Sequence, residues 1–283
     1  MNKSKSFWAQ AARRFLRNKR AFIALIILCL LMLASLLGPY FIKYSYYAQD
    51  LIIGATSPSR DHLLGTDTLG RDLLVRIMYG GRISILIGIL ATSVALFIGV
   101  FYGTVAGYIG GRTDNIMMRV VDMLYALPYM FFVIILMVVF GRNILNLFLA
   151  LGAVEWLTTS RITRGQVLSL KNKEFIEAAK ACGTKPIFII FRHLIPNAIS
   201  PVVVYATLLI PEIIIFESFL SFLGLGVQPP MCSLGSLVAD GSKLMELFPW
   251  LLIPPCAVLT LLLFCLNFVG DGLRDAIDPK MKL

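Results

Sequence analysis

From Ala21 to Ile42 no residue carries a charge, and apolar runs of similar length recur at about 83 to 106, 116 to 140, 144 to 165, 197 to 221 and 249 to 270. This recurrence limits the possible folds more than any other feature. Hydrocarbon offers backbone N–H and C=O groups no partner, so a segment crossing it must satisfy them internally. A helix of about 20 apolar residues does so over about 30 Å. Six such runs in 283 residues predict an all-α polytopic membrane protein with six transmembrane helices and no large soluble domain. Composition agrees, with 58% hydrophobic and 15% charged residues, against about 25% charged in soluble domains. The first run exceeds the roughly 7 to 15 apolar residues of a signal peptide, and no small-residue cleavage pattern follows, so it reads as a retained span.

An even number of spans puts both termini on one side. The net charge of +10 is then a question of sidedness rather than of nucleic acid. With the N-terminus inside, only Lys43, Arg60, Arg71, Arg76, Arg82, Arg142 and Lys243 fall outside, leaving 19 of the 26 Lys and Arg residues in the cytoplasm. The positive-inside rule favours that orientation. Residues 1–20 read as a basic amphipathic segment on the membrane surface, with Phe7, Trp8, Ala11, Ala12 and Phe15 opposite Arg13, Arg14 and Arg17. The first transmembrane helix at 21–43 and an extracytoplasmic loop at 44–82 follow. A core at 83–273 holds the other five spans and a cytoplasmic loop at 171–197, and a cytoplasmic tail at 274–283 ends the chain. In that tail Asp278-Pro279 is expected to stop helical structure.

The five cysteines (Cys29, Cys182, Cys232, Cys256, Cys265) stand singly, which argues against a disulfide framework or a metal site. No G-x-x-x-x-G-K-[ST], G-x-S-x-G or H-E-x-x-H pattern occurs. The chain therefore reads as non-enzymatic, with no cofactor of its own, and transport energy must come from a partner or a gradient. A gradient-driven carrier would need ionisable groups within its spans, where they are costly. Glu155, Glu212 and Glu217 are the candidates, and the other reading of each is a polar tie between helices. Asp122 and Arg119 are spaced for a local ion pair.

Within the polar loop, "KEFIEAAKACGTKPIFIIFRHLIPN" (173–197) is patterned as helix, glycine turn, helix. Asn172 is placed to cap the first helix and Glu174 suits its positive end. Phe175, Ala179 and Cys182 form an apolar stripe, Gly183 stops the helix, Pro186 can open a second one and Pro196 ends it. The pattern suits either a docking element for another protein or a plain interfacial helix.

Glu177-Ala178-Ala179, then Gly183, then His193 to Pro196 in "HLIP" resemble the EAA loop of ABC importer permeases. "RH" before "LIPN" is similar to the peptide and nickel branch. "LGTDTLGRD" (64–72), "VDMLYALPYMFFVIIL" (121–136), "FESFLSFLGLGVQPP" (216–230) and "NFVGDGLRDAIDPK" (267–280) extend the likeness over most of the chain, closest to the C-type permease of oligopeptide transporters. The resemblance implies a type I ABC importer permease fold in the bacterial inner membrane. It implies a second homologous permease, two cytoplasmic ATPase subunits carrying ATP and Mg, and an extracytoplasmic peptide-binding protein as partners. Glu177, Ala178, Ala179, Gly183, His193 and Pro196 would couple the chain to the ATPases. Glu217, Gly224 and Gly226 are candidates for the substrate path or outer gate. Dipeptide or nickel transport, and a proton-coupled carrier, are the alternatives. Where relatives read "SWG" after the paired prolines, this chain has Ser233-Leu234-Gly235.

Overall fold

The computed structural model describes residues 7–277. Among them the regular structure is helical, apart from one isolated bridge between Thr66 and Asp72. The first six residues and Asp278-Pro279 lie outside the described residues. Helix α1 (Phe7–Arg17) leaves Arg13 and Arg17 exposed, as its pattern requires. Its Ala11 and Phe15, however, pack on Val204, Leu273, Ala276 and Ile277, so the chain's own last helix takes part of the face expected to meet lipid. Asn18 breaks the helix, and its Oδ1 accepts from Ala21 N–H to cap α2 (Lys19–Phe41). Leu30, Leu33 and Leu37 of α2 are exposed, the pattern of a helix whose solvent is lipid.

The loop before the next helix has little regular structure but is firmly tied. Asp72 caps α3 (Leu73–Ile109) by accepting Val75 N–H at 3.0 Å, and its other oxygen lies 2.8 Å from His62 Nδ1. Trp250 Nε1 donates to Thr66 O at 3.3 Å, fastening the loop to a distant part of the chain. The 37 residues of α3 give it a length of about 55 Å, well beyond the hydrocarbon thickness.

The apolar run at 116–140 is not one straight helix. It divides into α4 (Gly111–Tyr125) and α5 (Tyr129–Phe140), bent by 83°. Pro128 is the cause: it adopts extended geometry, φ −60° and ψ 118°, and has no N–H to continue the helix. Helix α6 (Ile144–Leu170) packs along α3 through a stripe of small residues. A Cβ on Gly99 would lie 2.6 Å from Thr159 Cβ, on Gly103 2.9 Å from Thr163 Cβ, and on Gly107 3.0 Å from Val167 Cβ. Such approach without side chains is how helices associate where lipid supplies no hydrophobic drive.

Helices α7 (Glu174–Ala181) and α8 (Pro186–Ile189), then a π turn over Ile190–Leu194, lead into α9 (Ile195–Phe222). Helix α10 (Leu234–Lys243) and a 3₁₀ turn at Pro249–Leu251 precede α11 (Ile253–Ile277). One core joins α3, α5, α6 and α9 around Ile87, Met137, Leu151 and Leu209; a second joins α2, α3, α10 and α11 around Leu28, Leu73, Leu237 and Leu262.

Six crossings are expected, and among the described residues four helices are long and apolar enough, with a fifth if the bent α4–α5 pair is one span. The segment at 144–165 belongs to α6, which has 27 residues and so reaches about 40 Å. It carries Glu155, Arg161 and Arg164, and is therefore less apolar than the others. The chain buries Glu155 and pairs both arginines, so α6 depends on its neighbours rather than on its own composition.

Candidate functional site

The loop at 171–197 folds as a hairpin. Helix α7 ends in a Schellman turn: Gly183 N–H donates to Lys180 O at 2.9 Å and Thr184 N–H to Ala179 O at 3.1 Å. Gly183 supplies the required left-handed conformation at φ +75°. Pro186 opens α8 as its composition suggests. Three details differ from the sequence reading. Asn172 caps nothing; Lys173 occupies the N-cap position and makes no side-chain cap bond. The buried side chain of α7 is Ile176, with Ala179 half-buried, while Phe175 and Cys182 are exposed, because the apolar cluster of Val167, Ile189, Ile190, Leu194 and Ala198 lies on the Ile176 side. Pro196 does not end a helix. It sits in the first turn of α9, directly after the π turn, in which Ile195 N–H bonds back to Ile190 O. That wider turn accommodates a residue that has no N–H and whose ring crowds the preceding turn.

Glu177, Ala178 and Pro196 are exposed and His193 is half-buried, its carbonyl accepting from Asn197 Nδ2 at 2.6 Å. The hairpin is held to the end of α3 as well: Lys180 Nζ lies 5.9 Å from the Tyr108 ring centroid, and Lys171 Nζ donates to Gly107 O at 3.2 Å. Ile176 thus sits where the ends of α3, α6 and α9 converge.

Further along the same helices, α6 and α9 meet the α4–α5 corner around a cavity of about 460 Å³. Glu155 of α6 and Glu212 of α9 line it together with Tyr125, Tyr129, Tyr205 and Phe216. Among the described residues no Lys or Arg lines it, and its polar wall is mainly acidic and phenolic, with Thr158. The corner itself is clamped to α6. Arg161 pairs with Asp122 at 2.8 Å and stacks on Tyr125, its Cζ 4.3 Å from the ring centroid. Arg164 grips Asp114 with two bonds of 2.5 and 2.6 Å. Asp122 therefore pairs across helices rather than with Arg119, which is exposed.

Glu217 lies elsewhere. It is wholly buried, and its Oε1 accepts from Ser221 Oγ at 2.9 Å and Ser233 Oγ at 2.6 Å, tying α9 to the start of α10. Gly224 and Gly226 follow α9 and border a small recess that also touches Arg71, Arg76 and Lys243. Leu234 is fully buried among Leu73, Leu237 and Leu251. Sequence reasoning missed the tyrosines of the acidic cavity and the meeting of Glu155 and Glu212 around it from two helices. Five-residue spacing separated Glu212 from Glu217, but nothing local paired Glu212 with α6.

Residues 95–283 match the family model described as "Binding-protein-dependent transport system inner membrane component", and residues 6–58 match the "N-terminal TM domain of oligopeptide transport permease C". The chain is 51% identical to the oligopeptide transport system permease protein OppC of Haemophilus influenzae, over 98% of this chain and 89% of that one. It is 52% identical to OppC of Escherichia coli strain K12, over 98% and 92%, and 43% identical to the dipeptide transport system permease protein DppC of Bacillus subtilis, over 99% and 88%. A solved structure of inward-facing MetNI methionine ABC transporter shares the fold at a TM-score of 0.59 and 16% identity, over 72% of this chain and 96% of that one. The chain belongs to the family of binding-protein-dependent transport system inner membrane components, with an N-terminal segment of the oligopeptide permease C type.

Proposed function

We propose that this chain is one transmembrane half of an ATP-driven oligopeptide importer of the bacterial cytoplasmic membrane, with both termini in the cytoplasm. Its partners are a second, homologous permease, two cytoplasmic ATPase subunits that carry ATP and Mg²⁺, and an extracytoplasmic peptide-binding protein. The relatives named OppC, at 51% and 52% identity, support the cargo class. One observation carries the mechanism: the hairpin is seated by Ile176 on the ends of α6 and α9, the two helices that carry Glu155 and Glu212 into the cavity. Val167 lies 12 residues from Glu155 and Ala198 lies 14 from Glu212, so about 20 Å of helix separates hairpin from cavity on either route. Helix α6 runs without proline over that stretch, whereas α9 contains Pro201 and Pro211 and can bend there. When an ATPase pair closes on Glu177, Ala178 and the Gly183 turn, the push on Ile176 reaches the Glu155 wall directly along α6 and the Glu212 wall through the proline-containing α9. The acidic, phenolic lining suits passage of a peptide's ammonium end.

The test is to reconstitute the complete complex carrying Ala178→Glu or Gly183→Pro. Ala178 is exposed, so the first change costs the fold little; the second removes a turn that only the hairpin uses. Both variants should insert and assemble, hydrolyse ATP, and lose at least tenfold in peptide uptake per ATP. Unchanged uptake in both would overturn the coupling role. The relative named DppC favours a second reading, dipeptide cargo, and competition between di- and tetrapeptides in the same uptake assay separates the two.

A further inference from the structure

Two adjoining recesses, of about 310 and 150 Å³, share Arg71, Arg76, Asp240 and Lys243 between the start of α3, the segment after α9, and α10. Arg71, Arg76, Lys243 and the exposed carboxylate of Asp240 line both recesses, leaving a net positive charge there, while Asp67 lines only the larger one and is already used up. Its Oδ1 accepts the N–H groups of Leu69 at 2.9 Å and Arg71 at 3.0 Å. Its Oδ2 accepts Arg71 Nε at 2.7 Å and lies 3.1 Å from Arg76 Nη1. That last approach is off the hydrogen-bonding direction, and Arg76 Nε and Nη1 are both buried without a hydrogen-bond partner although the side chain is only 4% exposed. A guanidinium held this way costs free energy unless an acceptor reaches it. Lys243, exposed at the rim, has no carboxylate partner among the described residues. Leu73, Leu237 and Leu251 form an apolar wall beside these cations, which strengthens any ion pair made there.

We infer that this recess is a carboxylate-binding site and that its ligand is the C-terminal carboxylate of a peptide, an assignment that rests on the oligopeptide-importer reading. A carboxylate entering the recess meets the Arg76 guanidinium with Lys243 as a second cation, and the apolar wall accepts the last side chain of the peptide. The volume suits one or two residues rather than a whole chain. In the proposed orientation the recess lies on the outer side, so it would meet the peptide before the acidic cavity does.

The experiment uses the assembled complex of both permeases and both ATPases in lipid nanodiscs, without binding protein. The probes are N-acetyl-trialanine as the free acid and as the carboxamide, read by equilibrium dialysis. The acid should bind saturably and the carboxamide at least tenfold more weakly, since a charge-assisted hydrogen bond is lost. Lys243→Glu, at an exposed position, should weaken the acid at least tenfold and leave the carboxamide unchanged. Arg76→Gln, where it assembles, should abolish the preference; where it does not, Lys243→Glu decides. Equal binding of acid and carboxamide, or no effect of Lys243→Glu, overturns the site. So does a result in which the acid never binds and, in a parallel assay with the binding protein added, Lys243→Glu impairs its docking, because the carboxylate would then belong to that protein. Uptake by the wild-type complex is the control: failure to import any peptide would strike the function itself, whereas uptake without acid preference strikes only the site.

Discussion

Glu217 is enclosed on every side, and two serines sixteen and four residues away aim hydroxyls at one of its oxygens while the other has no partner. A carboxylate in a membrane segment is a reasonable candidate for a transport path, and composition marks it as one. Its role as a tie depends on Ser233, which reaches it only after the chain has turned back, and such a contact has no local signature. Ser233 does two jobs, since its Oγ also accepts Ser236 N–H at 3.0 Å as the cap of α10. Ser233→Ala should lower stability by about 2 kcal/mol, roughly one for the cap and one for the lost donor. Glu217→Gln keeps an acceptor toward both serines and should cost under about 1 kcal/mol. Thermal unfolding in detergent measures both. If Glu217→Gln left stability unchanged and abolished peptide uptake, Glu217 would belong to the path after all.

At the scale of elements, the α3–α6 pair is the frame on which the cavity and hairpin are hung. Gly103 is its tightest point: a Cβ there would run into the backbone oxygen of Ser160 and stand 2.9 Å from Thr163 Cβ and 3.0 Å from Arg164 N, and backbone cannot give way as a side chain can. Gly103→Val should destabilise the protein by about 1 to 3 kcal/mol, seen as a lower melting temperature. Gly165→Ala, with nothing within 4 Å of the added carbon, should be neutral or stabilising by up to about 1 kcal/mol. Equal effects of the two would mean that helix propensity, not close packing, governs the pair. The stripe of Gly99, Gly103 and Gly107 escaped the sequence reading, because its meaning depends on the distant residues Thr159, Thr163 and Val167 that it meets. Gly183 was legible for the opposite reason, because a helix stop needs only the residues beside it. The α4–α5 bend shows the limit of apolarity as a guide: residues 116–140 are apolar throughout their second half, yet Pro128 turns the chain by 83°.

For the whole molecule, the asymmetry of its basic residues and the position of the hairpin lead to one outcome. If the 19 Lys and Arg residues counted inside do face the cytoplasm, the hairpin is there too, and so is Cys182, which is exposed at the end of α7. Cys232 and Cys265 are buried, and Cys29 is exposed on α2, where lipid surrounds it. A variant that keeps Cys182 and replaces the other four cysteines by alanine therefore reports one face of the membrane. A charged, membrane-impermeant maleimide should label it in inside-out vesicles and not in intact cells. Labelling from the outside would reverse the orientation, and with it the sidedness of the hairpin and of the recess near Arg76. The same variant tests assembly. Cys182 lies next to Gly183, inside the surface proposed to meet the ATPase pair, so co-assembly with those subunits should slow its labelling at least tenfold, while chain inserted alone labels freely. Equal labelling in both states would leave the hairpin uncovered, and the push through Ile176 onto α6 and α9 would then have no source.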